Sequence, residues 1–207
     1  MGFLGRCVFL AHYFENDERL TSKPRVLTFE IAGHAYTFHT DVGVFSSRYI
    51  DAGSQILLET LVSLPLGKRL LDLGCGYGPI GIVLATQNNQ LQAILVDINE
   101  RAVALAENNI KVAKLTSRVG ARVSDGFASV TEKFDTIVTN PPIRTGKATI
   151  YRLFQEAKEH LNLGGRLYLV IRKAQGADST ASYLKTIYNH VTRIKRDHGY
   201  HVYEAYD

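Results

Sequence analysis

Four short stretches of this 207-residue chain set chemistry-bearing side chains directly behind apolar runs. Asp72-Leu73-Gly74-Cys75-Gly76-Tyr77-Gly78 is one, and Asp97 after Ala-Ile-Leu-Val is another. Ser124-Asp125-Gly126 and Asn140-Pro141-Pro142-Ile143 are the others. Residues Gly76 to Gly81, GYGPIG, fit the dinucleotide-binding pattern letter for letter. In a dinucleotide site, however, the first glycine follows its strand directly. Here the apolar run ends at Leu73, so Gly74, Gly76 and Gly78 are the glycines in register. Pro79 then opens a helix, where its missing N–H costs nothing, and Gly81 falls inside that helix as a packing residue. Asp72 adds a carboxylate that a pyrophosphate would repel and a cation would welcome. Asp97 lies 19 residues beyond Gly78, a spacing suited to a carboxylate that grips ribose hydroxyls. A nucleoside with a positively charged amino-acid tail fits this set, and S-adenosylmethionine answers that description.

The stretch at Asn140 resembles the motif of methyltransferases that act on exocyclic or amide nitrogens. The physical need is specific. An aromatic amine is a poor nucleophile because its lone pair is delocalised into the ring. Two carbonyls that accept from the amine hydrogens favour a pyramidal nitrogen and free that lone pair. Asn140 Oδ1 and the Pro141 carbonyl are the candidates, and the paired prolines hold the acceptors rigid. Alignment of amine and methyl supplies much of the remaining acceleration. No metal and no general base is called for. The familiar motif carries an aromatic residue in fourth place, where this chain has Ile143. That departure disfavours adenine N6 or a protein glutamine as the acceptor. Phe45 is a candidate to stack on the target base or to lie against the cofactor.

These groups are useful only if one scaffold gathers them. From Lys68 onward short apolar runs alternate with helical patterns: RLLDLG, then PIGIVLATQ; QAILVD, then ERAVALAENNIKVA; RVSDG; FDTIVTN, then TIYRLFQEAKEHL; GGRLYLVI, then ADSTASYLKTIYNH. Such alternation predicts a Rossmann-like α/β fold: a seven-stranded, mostly parallel sheet with helices on both faces. The tail around His198-Gly199 reads as a hairpin that adds an antiparallel strand. Residues 25–40 read as a small N-terminal β-hairpin, residues 51–61 as a helix, and residues 1–24 as an irregular arm. One domain over 1–207, with its core in 51–207, suits the length. In such sheets ligands sit at the carboxyl ends of the strands, where all four stretches fall.

The composition is that of an ordinary globular protein, 45% apolar and 21% charged. No apolar run approaches the length of a membrane span, and the start lacks the pattern of a signal peptide. Two distant cysteines, Cys7 and Cys75, suit a reduced, cytoplasmic protein and cannot make a cysteine zinc site. The net charge of +4 is unevenly spread: Arg144 to Arg196 holds eleven Lys/Arg against three Asp/Glu. A basic half on a mildly acidic body points to a polyanionic partner.

LLDLGCGYGPIGIVLA resembles the first motif of class I S-adenosylmethionine-dependent methyltransferases. The resemblance implies that Gly74 and Gly76 admit the methionine part and that Asp72 faces its ammonium, directly or through water. It implies further that Asp97 binds the ribose with Ile98 against the adenine. Asp125 accepts from the adenine amine, with Gly126 and Phe127 beside it. HYF (12–14), TDVGVFS (40–46), IDAGSQILLE (50–59), DINERAV (97–103), TNPPIRTGK (139–147) and VIRKAQGADS (170–179) together resemble the single-domain small-subunit ribosomal RNA guanine-N2 methyltransferases. The family implies methyl transfer to a guanine N2 of 16S rRNA, naked or within the small subunit, with no DNA or membrane partner. Pro142, Ile143, Arg144, Lys147, Arg172, Lys173 and Gln175 stand on the two loops where that RNA must approach. The rival readings are an N-methyltransferase of another amine (adenine N6, a small metabolite or a protein glutamine), a dinucleotide-dependent oxidoreductase and a non-catalytic RNA-binding protein.

Overall fold

Alternating apolar and polar residues, rich in aromatic and β-branched types, make a ladder half-buried on one face. That pattern gives the hairpin of Arg25–Ile31 (β1) and His34–Thr40 (β2), closed by Ala32-Gly33. The computed structural model describes residues 21–207. Most of the expected N-terminal arm, HYF at 12–14 and Cys7 lie outside the described residues. Helix α1 (Ala52–Leu61) follows, its first turn capped by the Asp51 side chain, which accepts from Ser54 N–H.

The alternation then unfolds as read. Strand β3 is Arg69–Leu73, helix α2 Pro79–Gln87, strand β4 Gln92–Asp97 and helix α3 Glu100–Val112. Strand β5 is Val119–Val123, β6 Phe134–Thr139 and helix α4 Lys147–Glu159. Strand β7 runs from Leu161 to Arg172, three residues earlier than its apolar run predicts, because an irregularity at Phe134/Thr136 lets Leu161 pair with Phe134. Helix α5 (Ala177–Ile187), β8 (His190–Asp197) and β9 (Tyr200–Tyr206) complete the chain. The seven strands lie in the order β5-β4-β3-β6-β7-β9-β8. The first five are mutually parallel, and β9 runs antiparallel to both β7 and β8.

Side-chain alternation splits the interior in two. Leu70, Tyr168 and Val170 face a cluster with α1, α2, α3 and the N-terminal hairpin. Leu71, Leu73, Leu167 and Leu169 face α4 and α5. The central strands are apolar on both faces because helices cover both. Asp72 breaks that run: it is fully buried and sits in β3 between Leu71 and Leu73.

Asn109, 3% exposed on α3, ties the hairpin to the glycine-rich turn. Its Oδ1 accepts from His39 N–H at 2.8 Å, while Nδ2 donates to the His39 and Tyr77 carbonyls, both at 2.9 Å. A buried polar group left without its partner costs about 1–3 kcal/mol. Asn109→Ala takes this partner from the buried Tyr77 carbonyl and from two part-buried His39 backbone groups, so it should lower stability by roughly 1–3 kcal/mol in urea unfolding. A loss below 1 kcal/mol would show that the hairpin is held by its apolar contacts alone.

Candidate active site

The parallel strands β3, β4, β5 and β6 end at one edge of the sheet, and the chain winds outward from β3 through β4 to β5 before crossing back to place β6 on the other side of β3. A crevice must open at that switch point. It holds a pocket of about 320 Å³. Phe45, Gly74, Gly76, Asp97, Ile98, Asp125, Gly126, Asn140, Pro141, Pro142, Ile143, Arg144, Arg172 and Gln175 line it. Fourteen of the residues singled out in the sequence thus share one wall. Four do not: Asp72, Phe127, Lys147 and Lys173.

The turn after β3 takes φ values of +75° at Gly74 and +56° at Gly76. Only glycine adopts these readily. A Cβ built on either would meet no atom within 4 Å, so open space lies in front of the backbone. Gly76 N–H donates to Asp97 Oδ2 at 2.8 Å, and Asn99 N–H to Asp97 Oδ1 at 2.9 Å. These bonds fix the carboxylate at the end of β4. Burial nevertheless raises its pKa, offset in part by those N–H donors. Gly81 lies inside α2, where a Cβ would stand 2.7 Å from Leu95 Cδ1.

Asp72 is expected to face the methionine ammonium directly or through water. It is absent from the wall, and its Oδ2 accepts from Gly81 N–H at 2.8 Å, beneath the glycine turn. Burial, with the charge of Asp97 nearby, pushes its pKa up to about 7 despite that donor. Oδ1 has no hydrogen-bond partner among the described residues. The same burial, with the charges of Asp97 and Asp72, drives the Cys75 thiol upward and keeps it protonated.

Phe127, off the wall, is 5% exposed, packs in the core under α4 and stacks on His160 at 4.5 Å between ring centres. A ring with no polar edge is better buried than at a wet pocket wall. Asp125 is on the wall but pairs with Arg152 of α4 at 3.0 Å, an exposed ion pair. Lys147 and Lys173 are exposed just beyond wall residues on the two basic loops.

Among the wall residues not singled out in the sequence are Asp51, Asn99 and Tyr200. Asn140 Nδ2 donates to Asp51 Oδ2 at 2.8 Å and to Ser54 Oγ at 3.0 Å. A carboxylate only accepts, so this pair fixes which end of the amide points where. The acceptor, Oδ1, is left to the pocket. Asn99 caps α3 and donates from Nδ2 to the Gly43 carbonyl at 2.9 Å, while Arg101 donates to the Val42 carbonyl at 3.0 Å. These bonds hang the 41–50 loop, and Phe45 with it, beside Asp97. Among the described residues no group of three His, Cys, Asp or Glu could hold a metal ion, and no helix is long and apolar enough to cross a membrane.

The raised Asp72 pKa has a consequence for stability. Below about pH 4 both folded and unfolded chains hold this proton. As the pH climbs toward 7 the unfolded chain releases it and the folded one does not, so stability falls. Asp72→Asn keeps an acceptor for Gly81 and does not titrate. Urea midpoints of variant minus wild type should therefore rise between pH 4 and 7, and a flat difference would refute the raised pKa.

Known proteins share this arrangement. The methyltransferase small domain matches residues 35–204. The uncharacterized protein YbxB of Bacillus subtilis is 35% identical over 94% of this chain and 97% of its own length. The ribosomal RNA small subunit methyltransferase C of Haemophilus influenzae is 39% identical over 65% of this chain and 41% of its own length. The chain thus spans about two fifths of that relative. The solved structure of the T. thermophilus 16S rRNA N2 methyltransferase RsmC, in complex with AdoMet and guanosine, superposes with a TM-score of 0.79 at 29% identity. The superposition covers 91% of this chain and 52% of that one. The chain belongs to the methyltransferase small-domain family and is an S-adenosylmethionine-dependent methyltransferase.

Proposed function

We propose that this protein transfers a methyl group to the exocyclic N2 of a guanine in 16S ribosomal RNA. The observation that carries the reading is the pinned amide of Asn140, whose acceptor end opens on the pocket beside the glycine turn. The names of the small-subunit relatives support RNA as the substrate class. So do Arg144 and Arg172 on the wall, with Lys147 and Lys173 exposed beyond it. We take residues 1–207 as one catalytic domain acting in the cytoplasm.

The pocket fits the methyl donor on the chain's own evidence. Open space before Gly74 and Gly76 admits a ligand against bare backbone. Asp97 offers a carboxylate for ribose hydroxyls, and Ile98, 41% exposed on the wall, an apolar face for adenine. Asp125 and Gly126 stand at the same end, where a Cβ on Gly126 would lie 2.6 Å from Leu153 Cδ2. Asp72 sits behind the turn with one oxygen unpartnered, so it acts on a cation through the turn or through water. Bound S-adenosylmethionine supplies an electrophilic methyl on a sulfonium.

The chain's part in the reaction is to shape the amine and hold it in line. Asn140 Oδ1 and the Pro141 carbonyl each accept one amine hydrogen and turn the nitrogen lone pair toward the methyl. Asp51 and Ser54 occupy Nδ2, so the amide cannot flip and present a donor to the amine. The acceptors are in place before the substrate arrives, which spares reorganisation during reaction. A guanine within a helix must first be flipped out of its stack.

Nucleoside mass mapping tests the assignment: 16S rRNA from cells lacking the protein should lose one N2-methylguanosine, and purified enzyme should restore it. An intact modification pattern refutes the reading. Asn140→Ala should lower turnover on that RNA by about 10²–10³-fold, the scale of losing one preorganised polar partner of the transition state. It should keep its thermal stabilisation by S-adenosylhomocysteine, whereas Asp97→Ala should lose that stabilisation first.

Asp51→Ser separates capping from pinning. Serine caps a helix about as well as aspartate but removes the carboxylate that fixes the Asn140 amide. We expect near-wild-type unfolding and a turnover at least about tenfold lower at unchanged KM for S-adenosylmethionine, since only transition-state contacts are lost. Wild-type turnover would show that Ser54 alone orients Asn140.

A further inference from the structure

The target base needs a flat surface to lie on, and the position that usually supplies it is Ile143. The fold brings a different ring to the same place. Tyr200 opens β9, immediately after the turn at His198-Gly199, and pairs in register with Arg172 at the end of β7. It is half-buried, and its ring lines the same pocket as Asn140 and Ile143. It is fixed from two sides. Gly53 on α1 abuts it so closely that a Cβ there would stand 3.0 Å from Tyr200 Cε1 and 3.2 Å from Cδ1. The Arg172 guanidinium lies 5.9 Å from the ring centre, within cation–π range. Gly53 is two residues from Asp51, the residue that pins Asn140. The ring therefore stands at the catalytic end of the pocket, one helical turn from the amide.

Phe45, the aromatic singled out from sequence, lines the pocket as well. Its loop is tied at Gly43 to Asn99, beside the Asp97 carboxylate. The wall thus carries two aromatic residues, Phe45 on the loop tied to Asn99 and Tyr200 against α1.

We propose that Tyr200 is the platform on which the target base stacks, in place of the aromatic that this chain lacks at position 143. The inference rests on the reading that the acceptor amine belongs to a nucleobase. Base–aromatic stacking tolerates any base, because each has a π-face. The contribution of Tyr200 therefore lies in its ring and not in its hydroxyl.

The test is an NMR titration of guanosine into protein saturated with S-adenosylhomocysteine. Wild type and Tyr200→Phe should bind guanosine equally well, within about twofold. Tyr200→Leu should bind about tenfold or more weakly, the scale of one lost stacking contact. Tyr200→Met, also unbranched by any ring, repeats the test should the leucine variant fold poorly. Stabilisation by S-adenosylhomocysteine should be the same in all, which separates a lost platform from a damaged fold. Equal binding by wild type and the leucine and methionine variants overturns the proposal. So does a phenylalanine variant as weak as the leucine one, and so does a wild type that binds no guanosine. Methyl transfer to 16S rRNA is assayed in parallel. Weak guanosine binding by Tyr200→Leu, with no transfer by the wild type, keeps the platform and discards the rRNA reading. Transfer by the wild type, with equal guanosine binding by all variants, does the reverse.

Discussion

Everything at this site follows from one topological constraint: β3 lies between β4 and β6, and all three run the same way. Parallel strands force each connection back to the starting edge of the sheet, by a helix from β3 to β4 and from β4 to β5 and by a loop from β5 to β6. The chain covers one face with α2 and α3 and the other with α4. The segments that leave the paired ends of β3 and β6 consequently diverge to opposite faces, and a gap opens between them. Gly74, Asp97 and Asn140 meet at that gap although 66 residues of chain separate the first from the last.

The gap is electrostatically unfinished. Asp72 and Asp97 are both held above the usual carboxylate range, chiefly by burial. Among the described residues their compensation comes from backbone N–H: Gly81 for the first, Gly76, Ile98 and Asn99 for the second. Folding tolerates this because each carboxylate retains at least one strong donor. A ligand that brings a positive centre and hydroxyl donors supplies what the protein lacks. Asp72 Oδ1, behind the turn, has no hydrogen-bond partner among the described residues.

The acceptor end of the pocket is organised by α1, an element outside the alternating strand–helix pattern. One residue, Asp51, both starts that helix and holds the Asn140 amide. The helix also carries Gly53 against Tyr200. Loop 41–50 does the equivalent work at the donor end through Asn99 and Arg101. The segment ahead of the sheet therefore closes both ends of a pocket whose floor the sheet provides.

Local order was legible because it is local. Helix α2 runs from Pro79 to Gln87 as PIGIVLATQ reads, since the proline start and the period of the apolar residues need no distant partner. The register of the glycines was decided by where the apolar run of β3 stops. Strand β7 was under-read by three residues, because its first pairing depends on an irregularity in β6 that no propensity encodes. Side-chain direction was the larger gap. Phe127 and Asp72 stand at the expected strand ends yet turn inward, Phe127 to His160 and Asp72 to Gly81. Asp51 and Tyr200 were missed because their meaning lies in partners far along the chain. Asp51 is 89 residues from Asn140, and Tyr200 reaches α1 only after β9 inserts antiparallel beside β7. By itself the sequence determined which elements form and which chemical groups end them, since backbone propensity and hydrophobic period act over a few residues. Only the tertiary structure decided which end of the Asn140 amide faces the pocket and which ring stands beside it, because both are set by contacts between elements that no local pattern brings together.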